Sequence, residues 1–442
     1  MKWVRFPVLL ILIFCVICLS ALFADDRRVD NTKLKIMTYN AEFLFDGLSP
    51  EGQADFQWKS SPDEARTHMA AIADIIKAAN ADIVNLVEIE NLSVLETLNN
   101  DFLSGYNYKS YLVNGTDSYT RQNVGLLTRI DPTDGVLHRS EDKGTSGPVM
   151  KSVSKHYYTS IHANGQDITF IGIHLLAIPN NESRKLEREA QADAIRKLAV
   201  VQTSQGGQTI IMGDCNDYDP DCPDIASDMP ITTVLPQLKE MDPGVSTDNL
   251  VSVVCEKQYP QNLRYTAWWD KNDNGVAEPG EYSSIDHILI SPGLTQYLSS
   301  VEINHNYNPA QISDHFPIIA SFDFSQEAGP STPTPSSLHI AKVLPNPDGD
   351  ERQLETVWLA NGGGTDMSLT GWKIQDKANT IWDLSHDGKV KAGDSKKILR
   401  NGRPMSINNS GDVLQLMDNS GKIVSVVTFG PADPEEVLEF AP

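Results

Sequence analysis

Seven short apolar runs, each closed by turn residues, dominate residues 34–324 and leave few folds open. They are Leu34–Asn40, Ile83–Glu88, Asn123–Thr128, Ile168–His174, Thr209–Asp214, Ile285–Ser291 and Pro317–Phe324. Most are rich in β-branched side chains, and that length and content predict strands. Between the first two lies a helix signature. Ser61 stands as N-cap, Pro62 at the first helical position and Glu64 where a capping box needs it. Met69, Ile72, Ile76 and Ala79 then recur on one face. A second helical stretch, rich in Arg, Glu and Ala, covers 182–201. Strands alternating with helices predict a layered α/β domain.

The chain changes material at both ends. Lys2 and Arg5 lead into the uncharged run Val8–Phe23, and polarity returns at Asp25. This predicts a secretory signal peptide over residues 1–24 and a secreted product, extracellular or periplasmic. An uncleaved anchor helix is the alternative, although the run is short of the ~20 residues a span needs. Secretion permits disulfides. Cys15 and Cys18 would leave with the signal; Cys222 and Cys255, both in Pro- and Asp-rich loop sequence, are the expected pair, with Cys215 a buried filler. Residues 326–337, QEAGPSTPTPSS, have linker composition. Beyond them, residues 338–442 show short strand signals separated by Asn-Gly and Asp-Gly turns, which predict an all-β sandwich.

Lys plus Arg is 36 against 59 Asp plus Glu, a net charge of −23. That excludes nucleic-acid binding through bulk positive charge. It leaves open a phosphate substrate handled through cations. The polar residues of the α/β region sit at the ends of its apolar runs: Asn40, Glu88, His174, Asp214 and Asn216, Asp286, and Asp314 with His315. Strand ends converge at one rim of an α/β sheet, where such folds place their sites. One such Asp or Asn would be an ordinary turn residue; this many at successive ends make a site. Carboxylates and amide carbonyls are hard ligands suited to Mg²⁺, Mn²⁺ or Ca²⁺, and two imidazoles can move protons near neutral pH. Together they are equipment for hydrolysing a phosphate ester.

TYNAEFLF (38–45), DIVNLVEIEN (82–91), NVGLLTR (123–129), GIHLLA (172–177), GDCND (213–217), SIDHILIS (284–291) and SDHFP (313–317) resemble the endonuclease/exonuclease/phosphatase family, deoxyribonuclease I-like, over residues 33–325. The resemblance implies a four-layer α/β sandwich, two packed β-sheets flanked by helices. It assigns Asn40, Glu88 and Asp314 to metal and phosphate, and Asp214 and Asn216 to positioning water and phosphate. Asp286 would orient His315, and His174 would be the second catalytic histidine. Which histidine is acid and which base stays open. Val87 stands where many members carry Gln, and Cys215 where they carry Leu or Phe. His174 favours the deoxyribonuclease- and sphingomyelinase-like branches. The segments 357–384 and 407–429 resemble a lamin tail domain, an immunoglobulin-like sandwich expected over 338–442 with a role in surface or substrate attachment; Trp372 and Trp382 are read as core.

Asp270, Asn272, Asn274, Gly275, Val276, Glu278 and Glu281 match the twelve-residue calcium loop D-x-[DN]-x-[DN]-G-x5-E. They are expected to hold a structural Ca²⁺. Arg121, beside the NVGLLTR strand, is a candidate phosphate contact. The expected protein is a secreted, monomeric, Mg²⁺- or Mn²⁺-dependent phosphodiesterase, foremost a nuclease cutting DNA or RNA. A sphingomyelinase-like hydrolase and a non-catalytic adhesin are the alternatives.

Overall fold

The computed structural model describes residues 24–203, 207–241, 248–325, 338–362, 366–377, 380–418 and 423–440. The expected signal peptide, Ala24 apart, and the expected linker lie outside them. Among the described residues, no helix is long and apolar enough to cross a membrane.

The α/β region holds two large sheets. The six-stranded one runs Leu298–Ile303, Ile318–Asp323, Lys33–Leu44, Ile83–Ile89, Asn123–Thr128, Lys109–Leu112. The five-stranded one runs Val251–Ser252, Asp286–Ile290, Gln208–Asp214, Gln166–His174, Lys155–Ala163. Strand periodicity decides what faces what. Met37, Tyr39, Ala41, Val84 and Leu86 turn outward to meet Met69, Ile72, Ala73, Ile76 and Ala79 of the helix Pro62–Ala79. Each such fully buried Ile or Met is worth about 1.5–3 kcal/mol. The alternate residues turn inward, where the Asn85 amide donates to Thr38 Oγ1 (2.9 Å) and to the Met212 carbonyl of the other sheet (3.5 Å). A Cβ at Gly172 would come within 2.3 Å of Asn85 Oδ1, so a side chain there would push the sheets apart. The helix Lys185–Thr203 covers the second sheet at Gln166–His174 and Gln208–Asp214. The layers are helix, sheet, sheet, helix, as the family resemblance implies.

Four strands of these two sheets escape the apolar pattern: Lys109–Leu112, Lys155–Ala163, Val251–Ser252 and Leu298–Ile303. All four are sheet edges. Edge strands face water on one side and carry polar side chains, which hides them from a search for apolar runs. Ser61 is the N-cap of its helix by position, but its side chain makes no cap bond; Pro62 at the first turn and the acidic Asp63 and Glu64 start the helix instead. Cys222 and Cys255 form the expected disulfide, and Cys215 is free and buried.

The C-terminal region has two four-stranded antiparallel sheets. One orders Ser395–Leu399, Thr356–Asn361, Leu338–Leu344, Leu438–Glu439, the other Ile381–Asp383, Lys373–Gln375, Asp412–Met417, Ile423–Phe429. Trp372 and Trp382 lie in its core with Leu359, Ile374 and Leu414. The Trp382 indole N–H donates to the Met405 carbonyl at 2.9 Å, so burial leaves it satisfied.

Candidate active site

Strict alternation would turn Glu88 outward, toward the helix. Instead the register of Ile83–Ile89 slips against both neighbours between Val87 and Ile89, and Glu88 takes a left-handed φ of 65°. The adjacent strand slips between Asn40 and Leu44, with Glu42 and Phe43 at φ 43° and 47°. Bulges re-aim side chains where sheets end, and left-handed non-glycine residues persist where the surroundings over-determine them. Two neighbouring bulges thus deliver the carboxylates. Asn216, at φ 49°, continues the pattern on the second sheet.

The predicted residues converge. The Asn40 amide donates to Asp214 Oδ2 (3.1 Å) and Glu88 Oε1 (3.3 Å), while its carbonyl accepts the Glu42 backbone N–H (3.1 Å). Its NH₂ thus faces the carboxylates while its oxygen holds the bulged backbone, which places Asn40 among the residues expected at the metal site. Asp214 also accepts the Asn216 N–H at 2.8 Å, and the Asn216 amide donates to the Leu175 carbonyl. His174 Nε2 stands 3.7 Å from Asp214 and 3.9 Å from Glu88. His315 Nδ1 is 2.7 Å from Asp286, and its Nε2 is 3.9 Å from both Asp214 and Asp314. All but Asn40 and Asp286 line one cavity of about 460 Å³.

The electrostatics follow from burial. Burial, then the Asp286 charge, pushes Asp214 up to about 7, and burial with the Asp314 charge pushes Glu42 up to about 9. Glu88 and Asp314 are raised for the same first reason. The Asp314 side chain is 42% exposed, but onto the cavity. The histidines diverge. Burial and the Lys155 ammonium hold His174 well below its ordinary value, whereas His315, though burial opposes its charge, is held well above by Asp286, Asp314 and Asp214. The two imidazoles are thus biased in opposite senses, an arrangement that separates proton roles.

Two site residues were missed. Glu42 accepts the Asp314 N–H at 3.0 Å; it lies past the end of the predicted strand 34–40, inside the bulge, where no periodicity points. Lys155 Nζ lies 3.5 Å from His174 Nε2 and 3.2 Å from Gln122 Oε1. It sits on a missed edge strand, paired in register with His174. A Lys-His dipeptide opening a β-branched and aromatic stretch was the available signal.

Arg121 lies elsewhere. Its guanidinium donates to the Pro50 carbonyl (2.9 Å), and it lines a separate hollow with Glu90, Asp117 and Asn123. The 270–281 loop closes a two-stranded ribbon, Ala267–Trp268 with Tyr282–Ser283, on the cavity wall. Asp270 accepts the Asn274 and Gly275 N–H groups, the Asn272 amide donates to Glu278, and the Asn274 carbonyl accepts from Val276 N–H. Glu281 is buried and accepts from Trp268 Nε1, Lys271 N and Glu278 N.

A four-layer sandwich with carboxylates and two histidines at the ends of its strands defines a phosphoester hydrolase. The chain belongs to the endonuclease/exonuclease/phosphatase family, whose model matches residues 37–315. The lamin tail domain model matches residues 331–431. No curated protein matches the chain. Similar solved structures include truncated TDP2 from Caenorhabditis elegans (18% identity, TM-score 0.42, 67% of this chain and 100% of that one). Another is a variant of the 3′ phosphatase NExo from Neisseria bound to product DNA hairpin (16%, 0.44, 66% and 99%). A third is an endonuclease/exonuclease/phosphatase family protein from Leptotrichia buccalis (18%, 0.42, 66% and 100%).

Proposed function

We propose that this protein is a secreted, monomeric, divalent-metal-dependent phosphodiesterase that hydrolyses nucleic acid. The observation that carries the reading is the pairing of His315 with Asp286 at 2.7 Å beside a carboxylate cluster and a second, neutral histidine. The donor set fits a hard cation: Glu42, Glu88, Asp214 and Asp314 crowd together with raised carboxyls, and Asp286 Oδ1 is buried without a hydrogen-bond partner. Glu88 and Asp314, joined by Glu42, would hold Mg²⁺ or Mn²⁺, which supplies charge neutralisation for the phosphate.

The chain's own groups do the rest. Asp286 fixes the His315 ring with its proton on Nδ1, so the charged Nε2–H is free to donate to a phosphate oxygen in the cavity. Asp214, oriented by Asn40 and by the Asn216 N–H, accepts a proton from the attacking water. His174, kept neutral by burial and Lys155, is positioned to exchange a proton near the leaving oxygen. The basic start and the apolar run 8–23, with the Cys222–Cys255 bridge, support secretion. The 270–281 loop is proposed as a structural Ca²⁺ site, and the tail domain as an attachment module.

The test offers full-length protein plasmid DNA, RNA and sphingomyelin vesicles side by side with Mg²⁺, Mn²⁺ or Ca²⁺. Cleavage of either nucleic acid supports the reading. Lipid turnover alone would replace it with the sphingomyelinase-like alternative, and no turnover at all would favour the adhesin.

A further inference from the structure

The cavity that holds the carboxylates and histidines is also lined by Ile178 and Trp269, two large apolar side chains left open to water. Trp269 is 70% exposed and Ile178 is 50% exposed. Leaving surface of this size wet costs stability. Neither is loose. Ile178 is β-branched yet sits at φ 70°, a conformation that bulky residues rarely adopt. The buried Arg188 guanidinium holds it there by donating to the carbonyls of Leu176, Ile178 and Pro179, while its Nε is anchored on Asp217 at 3.0 Å. The Trp269 backbone is fixed by its N–H on the Glu281 carbonyl (2.9 Å), next to Trp268, whose backbone N–H donates to the Asp314 carbonyl (2.7 Å). Its ring stacks on no other aromatic ring among the described residues. Backbone strain and a rigid tether are spent on presenting two apolar groups beside the phosphate chemistry.

We propose that Trp269 and Ile178 receive the nucleobase adjoining the scissile phosphate, with the indole stacking on its face. The inference rests on the nuclease reading and deepens it, because it names the substrate as single-stranded or locally unpaired. A base within a duplex has both faces covered by its neighbours, whereas an unpaired base offers one to an exposed aromatic ring. A lipid surface fits the same side chains less well. They line the same recess as the carboxylates, and a concave wall suits one flat ring better than a bilayer. The cavity's volume, about 460 Å³, falls in the range of pockets that enclose a small ligand, as a nucleotide requires.

The experiment compares full-length parent, Trp269→Ala, Trp269→Phe and Ile178→Ala on two single-stranded oligonucleotides. One carries natural bases; the other carries base-free tetrahydrofuran nucleotides around the cleaved phosphate. The parent should show a KM roughly tenfold or more lower for the base-bearing strand, as stacking strengths imply. Trp269→Ala should erase that difference by raising KM for the base-bearing strand alone, with kcat nearly kept. Trp269→Phe should restore most of it, and Ile178→Ala should fall between. An equal KM rise on both strands, or none on either, overturns the inference while leaving the nuclease reading intact. Sphingomyelin vesicles form the control arm: if Trp269→Ala loses only lipid turnover, the pair belongs to a lipid and the inference fails. A parent that cleaves no nucleic acid removes both.

Discussion

His315 leans one ring nitrogen on Asp286 at 2.7 Å and points the other between Asp214 and Asp314, each 3.9 Å away. Three acids around one imidazole bias it toward its charged form in spite of burial, and the 2.7 Å contact is how Asp286 orients the ring. His315→Ala should lower kcat by about a thousandfold, the scale of a lost proton-handling group. Asp286→Asn should lose somewhat less. Both should keep the parent's circular dichroism. Full turnover in folded His315→Ala would remove it from the chemistry.

The raised carboxyls make stability depend on pH and cation together. Asp214 near 7 and Glu42 near 9 lie above the ordinary value of ~4 for such groups. A group whose folded pKa is raised contributes stability that is fully present below its unfolded pKa and lost as pH rises through the folded one. Chelated protein should therefore melt lower at pH 8 than at pH 5.5. Mg²⁺ or Mn²⁺ should raise Tm more at pH 8, where the carboxylates are ionised. Equal increments at both values would show that these carboxylates are not where the cation binds.

Lys155 is expected to set the proton affinity of His174 from 3.5 Å. Removing its charge in Lys155→Met should move the His174 midpoint upward in a ¹⁵N NMR titration and carry the acid limb of the pH–rate profile the same way. Lys155→Arg should leave both near the parent's. An unmoved midpoint in Lys155→Met would assign Lys155 to Gln122 and Asp117 alone.

Calcium should raise thermal stability through the 270–281 loop, and Asp270→Ala with Glu281→Ala should abolish that increment. Because Trp268 bonds Glu281 through its indole and Asp314 through its backbone, the same variant should also raise KM modestly. If the double variant keeps the full calcium increment, the loop is an ordinary polar loop.

Much of this architecture was legible because buried strands advertise themselves. All seven apolar runs are strands, with ends shifted by a few residues, and their polar ends converge, all but Asn40 and Asp286 lining one cavity. The edge strands were not legible, since Lys109–Leu112 and Leu298–Ile303 carry too few apolar residues to stand out. Glu42 was hidden for a different reason. A bulge inserts residues out of phase with the two-residue repeat, so periodicity cannot say where Glu42 or Glu88 points; only the backbone can. Arg121 shows another limit: proximity along the chain to a site strand does not fix direction, and at a left-handed φ of 61° its guanidinium reaches the Pro50 carbonyl and a hollow beside Glu90.

The central claim is that cation-organised carboxylates, with two histidines, cut nucleic acid. It is tested most directly by initial rates on single-stranded DNA and RNA titrated separately with chelator and with NaCl. A chain of net charge −23 holds its substrate through the centre rather than through a basic surface. Chelation should abolish cleavage, Mg²⁺ or Mn²⁺ should restore it in the parent but not in Glu88→Gln, and moderate NaCl should have a far smaller effect. Undiminished cleavage of either nucleic acid in excess chelator would contradict the account.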